Sequence, residues 1–294
     1  MFVMRGNSMS RSLFFVLLLS WQAMVSGDDL TGAIADFDNR DYQSAASKFE
    51  KLRSKNSKDA DILFYLAKSQ YKTNNYREAN ATIEYLTDLH PDYKEAYNLA
   101  GMVYMALLAE VNIFKKMGMA RSAIDSWQRV LDLDANHVMG NYAFFSYYLN
   151  APGLAGGDIE KAREVLARLE KISPPYAELA KGLLNSKLDN TVEAEKHYLR
   201  ATQLIEDHAG PHLAIAQFYF KNDEFKKSLA SFERYQQGNK VWQDPSDAIA
   251  FYFLGNIHAK LGNIELARKN FTSALSAFPN KQIQGLVKDA LGDL

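Results

Sequence analysis

The sequence predicts an all-α fold: a right-handed superhelical solenoid of about seven stacked helix pairs, closed by a C-terminal capping helix. Three observations predict it. Apolar residues recur at spacings of three and four along most of the chain, the signature of amphipathic helices. The pattern then repeats. Ala45, Ala79, Ala123, Ala162, Ala194, Ser228 and Ala267 each lead a similar stripe, and the distances between them are 34, 44, 39, 32, 34 and 39 residues. Short polar turns and prolines, among them Pro91, Pro174 and Pro279, punctuate the units. A base period of 34 with insertions accounts for the distances, apart from the 32, which is two residues short.

Taken in order, residues 1–27 are expected to be an export signal. Arg5 and Arg11 make a positive start, Leu13 to Leu19 is an apolar run, and Val25, Ser26 and Gly27 precede a cut at Asp28. The apolar segment is too short for the roughly 20 residues a spanning helix needs. Residues 28–281 form the array and 282–294 the cap. Leu30 to Phe37 starts the first pair, and Tyr42 to Arg53 completes it with Ala45, Phe49 and Leu52 on one face. Later second helices carry Tyr76, Ala79, Ile83 and Leu86; Ala123, Trp127 and Val130; Ala162, Leu166 and Leu169; Ala194, Tyr198 and Ala201; Ser228, Phe232 and Tyr235; and Ala267, Phe271 and Ala274. First helices carry a small residue where a neighbour must come close, as in Leu66-Ala67, Ala100-Gly101 and Leu254-Gly255. The cap is expected to turn Leu286, Val287 and Leu291 onto the last pair.

These residues resemble the tetratricopeptide repeat, whose aromatic, Leu-Gly, Tyr, Ala, Phe, Ala and Pro positions share this period. The resemblance covers roughly Leu30 to Gln282. It is strongest for the units beginning at Ala60 and Ala248, and weaker near Val138 and Pro175, where Phe145 and Lys181 replace the expected small and Leu residues. One helix pair cannot bury its stripe alone, so stacked pairs build a continuous core.

Three stretches depart from the period. The insertion between Tyr104 and Ala123 is helix-prone and is expected to lengthen both helices of its pair. Leu107, Phe114 and Met117 there offer a second, projecting surface. Asn150 to Asp158, with the sequence NAPGLAGGD, is expected to be a structural turn: Pro152 stops a helix, glycines allow positive φ, and Asp158 caps the next helix. No Lys-Ser or Lys-Thr follows its glycines and no strand precedes it, which excludes a nucleotide loop. The APGLAGGD stretch also resembles one in exported bacterial tetratricopeptide proteins. Gln237 to Asp247 is a polar loop with one exposed-looking Trp242, which is expected to pin the loop onto the array rather than to meet a ligand.

Composition narrows the function. The formal net charge is −1, and loss of Arg5 and Arg11 would take it to −3, so a general binder of nucleic acid or of anionic membranes is not expected. The chain has no cysteine, which leaves packing alone to hold an exported fold. Six histidines are scattered. His208 and His212 have metal-ligand spacing, but Gly210 and Pro211 break the helix between them. HExxH and GxSxG motifs are absent. The expectation is a protein that is not an enzyme and has no cofactor and no metal.

The resemblance implies a concave face lined by one stripe of each first helix. Here that stripe holds Phe64, Lys68, Tyr71 and Lys72; Asn98, Met102 and Met105; Tyr142, Ser146 and Leu149; Leu183 and Lys187; Leu213, Gln217, Phe220 and Lys221; and Tyr252, Asn256 and Lys260. Aromatics, amides and cations mix as at peptide-binding surfaces. The expected function is an exported scaffold, periplasmic in a Gram-negative cell and otherwise secreted, that holds a protein or extended peptide in this groove. No stable membrane insertion is expected after signal cleavage. The alternative is a structural protein of the envelope acting through self-association or the projecting pair at 105–119.

Overall fold

The structure is a computed structural model in which residues 29–277 and 279–294 are described. The expected signal over residues 1–27 lies outside them. Every regular element among the described residues is helical, and the chain divides into two compact units, one ending at Pro91 and one running from Asp92 to Leu294.

In the first unit, residues 29–38 are helical (α1), followed by α2 (Tyr42–Lys55), α3 (Ala60–Lys72) and α4 (Tyr76–Leu89). Its core is Phe37 from α1, Ala45, Phe49 and Leu52 from α2, Leu63 and Leu66 from α3, and Ala79, Ile83 and Leu86 from α4; Tyr76, predicted on the same stripe as Ala79, is half-buried. The Phe49 ring stacks on Tyr65 at 5.3 Å, and Phe37 meets Tyr65 edge-on at 5.3 Å. Burying one such ring stabilises the unit by about 2–3 kcal/mol.

The second unit holds α5 (Lys94–Leu107), α6 (Ile113–Leu133), α7 (Val138–Asn150), α8 (Ile159–Ile172), α9 (Pro174–Lys187), α10 (Thr191–Leu204), α11 (Gly210–Lys221), α12 (Phe225–Gln237), α13 (Asp247–Lys260), α14 (Ile264–Ser276) and α15 (Lys281–Gly292). Each odd-numbered helix from α5 to α13 pairs with the helix after it, and α15 packs on both α13 and α14. Of the residues expected to seat the cap, Val287 is buried and Leu291 half-buried, but Leu286 is exposed. Leu286 sits about 100° round the helix from Val287, which carries it off the packed face.

The period is set by one turn used five times. In each regular pair a residue with left-handed backbone follows the first helix: Arg40 (φ 64°), Asn74 (64°), Asp189 (58°), Asp223 (60°) and Gly262 (76°). The next backbone N–H reaches back five residues to a carbonyl of the helix just ended: Asp41 to Asp36 (2.9 Å), Asn75 to Gln70 (2.8 Å), Asn190 to Asn185 (2.9 Å), Glu224 to Tyr219 (2.9 Å) and Asn263 to His258 (2.9 Å). That bond closes a Schellman motif. The residue donating it is also the N-cap of the second helix, so the chain reverses without spare residues.

The two irregular pairs replace this turn. The insertion after Tyr104 does not lengthen both helices, contrary to expectation. The α5 helix has 14 residues, like α3 with its 13, whereas α6 has 21. Asn112 is the reason: its Oδ1 accepts from Lys115 N at 3.2 Å and caps α6 there. Leu107, expected on the second surface, is buried at the end of α5. Between α7 and α8 the glycine stretch is a structural turn. Gly156 has φ 91°, and Asp158 Oδ1 accepts from Glu160 N (2.9 Å) and Lys161 N (3.2 Å). The Tyr147 hydroxyl donates to the Ala155 carbonyl, and Asp158 N donates to Tyr148 O at 2.8 Å. Trp242, expected to pin its loop, is half-buried, and the loop is tied down by Ala209 N donating to Asn239 O at 2.7 Å.

Candidate functional site

The stripe expected to meet a partner can be followed helix by helix. In the first unit, Phe64, Tyr71 and Lys72 are partly exposed on α3, but Lys68 is not available to a partner. Its side chain is only 6% exposed. The ammonium lies 3.9 Å from the Tyr65 ring centroid, 4.3 Å from Phe37 and 5.1 Å from Phe64. Loss of water lowers its pKa from the ordinary 10.5 to about 8. Lys68 is therefore a cation held inside an aromatic core, and its assignment to a binding face is corrected. Tyr71 packs at 5.7 Å from Tyr76, and burial pushes its phenol up to about 12. Lys72 lies 5.3 Å from the Tyr42 ring.

In the second unit Asn98 is buried on α5, a second correction, while Met102 is half-buried. Tyr142 on α7 is half-buried, with its ring 5.8 Å from Tyr176 of α9. Burial raises its phenol pKa. Gln217, Lys221 and Lys260 are exposed on α11 and α13, and Lys187 is exposed at the end of α9. Phe220, Tyr252 and Asn256 are half-buried among them. Phe220 and Phe253 meet edge-on at 5.3 Å and join α11 to α13. Asn256 Nδ2 donates to Tyr252 O at 2.8 Å, and the Tyr252 ring lies 6.0 Å from Phe271. Lys72, Lys187, Lys221 and Lys260 all fall in the last turn of a first helix, where the helix dipole favours a cation. Lys221 does more than this: its Nζ donates to Ser186 O at 2.9 Å, near the end of the neighbouring α9.

Three polar clusters escaped the sequence reading. Glu178 accepts from His197 Nδ1 (2.7 Å) and from Lys181 (3.1 Å), and Lys181 also reaches Glu170 (2.9 Å). Burial alone would raise the Glu178 carboxyl, but the hydrogen bonds from His197 and Lys181 outweigh it and leave its pKa lowered. The other nitrogen of His197 faces Glu193 at 3.8 Å. With both ring nitrogens against carboxylates, this histidine is a bridge between helices and not a base aimed at a substrate. The signal was Lys181 itself, a cation where the repeat expects Leu. In the second cluster, Glu195 accepts from the Tyr219 hydroxyl (2.8 Å) and Lys227 (3.1 Å), tying α10, α11 and α12 together. In the third, His208 Nδ1 accepts from Gly210 N (3.2 Å), which leaves Nε2–H to donate to the Tyr176 hydroxyl at 3.0 Å. His212 lies inside α11 and His208 before it, so the pair does not converge. Among the described residues no group of three His, Asp or Glu side chains is placed to hold a metal ion, and no helix is long and apolar enough to cross a membrane.

Two tetratricopeptide repeat models match the sequence, one over residues 36–103 and one over residues 213–281. Residues 36–103 and 213–281 are tetratricopeptide repeats. Between the two matches lie the pairs with the capped 21-residue helix and the glycine turn, where repeat positions are occupied by Phe145 and Lys181. The tetratricopeptide repeat architecture recurs in solved structures. A tetratricopeptide repeat protein from Parabacteroides merdae matches with a TM-score of 0.56 at 16% identity, covering 90% of this chain and 98% of its own. A thermophilic repeat protein of Thermus thermophilus matches with a TM-score of 0.46 at 16% identity, over 80% of this chain and 98% of its own. At 16% identity the likeness to the Parabacteroides merdae protein is one of fold. No curated protein matches the chain in sequence.

Proposed function

We propose that the protein is an exported, non-catalytic repeat scaffold that holds a protein or extended peptide on the face formed by its first helices. One observation carries the reading. On α11 and α13, exposed Gln217, Lys221 and Lys260 stand around half-buried Phe220, Tyr252 and Asn256, on helices anchored from behind by the Phe220–Phe253 and Tyr252–Phe271 contacts. Such a surface offers hydrogen bonds, charge and aromatic area without having to order itself, which lowers the entropic cost of binding an extended chain. Repeat proteins of this kind generally bind other proteins, which supports the class. Export is supported by Arg5, Arg11 and the Leu13 to Leu19 run.

The test is site-specific photocross-linking in the cell of origin, with a benzophenone amino acid at Tyr252 or Asn256 and a control at exposed Arg268 of α14. The proposal expects one discrete adduct from the α13 positions and none from Arg268. The same adduct from all three sites, or from Arg268 alone, would overturn the assignment of the face.

A further inference from the structure

The N-terminal end of α6 is unlike that of any other second helix. Measured from the small residue that packs against the first helix, α4 begins three residues before Ala79, whereas α6 begins ten before Ala123. The seven added residues extend the helix by about 10 Å past the end of α5. Phe114 is 90% exposed there and Met117 62%. Phe114, Met117 and Arg121 follow one another at helical spacing on a single face. The next residues on that face, Asp125 and Gln128, are polar and exposed, so the apolar character is confined to the tip.

The charge at the tip has one sign. Lys115, Lys116 and Arg121 are exposed, and among the described residues none of them makes an ion pair. Glu110 is the one acid between Met105 and Ile124, and the first turn of α6 carries none. The helix N-terminus adds its own partial positive charge. By contrast, Lys181 is paired with Glu170 and Glu178, and Lys227 with Glu195 and Glu224.

We propose that this tip is a peripheral docking finger for an anionic lipid bilayer, with Phe114 and Met117 entering the headgroup boundary and Lys115, Lys116 and Arg121 pairing with lipid phosphates. The occupant follows from shape and charge. Two exposed side chains on a convex helix end offer roughly 300 Å² of apolar contact, well short of the roughly 800 Å² per partner of a stable protein interface. A bilayer can close around a convex end and supplies phosphates on every side of it. Apolar residues edged with cations are what interfacial anchors require, and the electrostatic part falls with salt. A single finger gives weak, reversible attachment, compatible with a scaffold that also holds a partner.

The absence of cysteine makes the test direct in the full-length chain. Met117→Cys carries an environment-sensitive fluorophore, and Gln128→Cys on the same face of α6 carries it as a control. Vesicles of equal parts phosphatidylglycerol and phosphatidylcholine, at low salt, are expected to shift the residue 117 emission to the blue and leave the residue 128 emission unchanged. Vesicles of phosphatidylcholine alone, or high salt, should abolish the shift. Adding Lys115→Gln and Lys116→Gln should weaken binding about fivefold for each cation removed, with the melting temperature unchanged. No shift at residue 117, an equal shift at residue 128, or an equal response to both kinds of vesicle would overturn the proposal. A shift that grows with protein concentration in the absence of lipid would also overturn it, by showing that a second copy covers the tip.

Discussion

A Cβ built on Gly255 of α13 would stand 2.5 Å from Cδ1 and Cε1 of Phe271 on α14. The two helices touch there because residue 255 has no side chain. The same relationship recurs where Gly182 faces Tyr198, with ring carbons at 2.7–2.9 Å, and where a Cβ on Gly101 would overlap the Trp127 indole. Small residue against aromatic ring is the clamp that closes a helix pair, and the sequence positions that define the repeat are the positions that make it.

Gly255→Ala is therefore expected to destabilise the second unit even though Ala is the better helix former. Helix propensity favours the change by about 1 kcal/mol, but overpacking a rigid core costs about 1–3 kcal/mol. The Phe271 ring is buried and cannot step aside, so a net loss of up to about 2 kcal/mol should appear in urea unfolding. Gly118→Ala in the exposed end of α6 meets nothing within 4 Å. It should stabilise by about 0.5–1 kcal/mol. Losses of equal size at both sites would contradict the clamp.

The five Schellman turns make a second pair of opposite predictions. Asp223 is exposed and holds φ 60°, a conformation that glycine adopts without strain. Asp223→Gly should raise stability by a few tenths of a kcal/mol, the relief of strain being partly offset by greater freedom in the unfolded chain. Gly262→Ala, at φ 76°, should lower it by about 1 kcal/mol. Thermal unfolding of the two variants reads both signs.

Lys68 makes the first unit sensitive to alkali. Its pKa is about 8 when folded against 10.5 ordinarily, so between those values the unfolded chain holds a proton that the folded chain lacks. Stability of the first unit should therefore rise as pH increases from about 8 towards 10, by about 2 kcal/mol at most. Above about pH 10 the buried phenols of Tyr65 and Tyr71, both raised by burial, act in the opposite direction. Lys68→Met should remove the rise. Denaturant unfolding across this range, followed by a probe within residues 29–91, checks it; a rise that persists in Lys68→Met would assign it to another group.

Much of the fold was legible because repetition multiplies a weak signal. Ala45, Phe49 and Leu52 alone predict one amphipathic helix; seven stripes at a common period predict their stacking. Length was harder to read. The segment from Met105 to Met119 is helix-prone throughout, and only the capping role of Asn112 decides which helix receives the extra turns. Burial of polar residues was least legible. Lys68 falls at a surface position of the repeat, but rings from three positions, among them Phe37 of another helix, enclose it. The repeat pattern describes one helix at a time and cannot show that enclosure. Asn98 too is buried where the repeat pattern places it at the surface. Gln217, Lys221 and Lys260 are exposed, on helices whose buried sides the apolar stripe makes plain.

The most direct measurement of the central claim is hydrogen exchange on the protein bound to the partner captured through Tyr252. The account predicts slowed exchange in residues 210–221 and 247–260, the first helices α11 and α13, with residues 225–237 and 264–276 of the second helices unchanged. Protection confined to the second helices would contradict a partner held on the first-helix face.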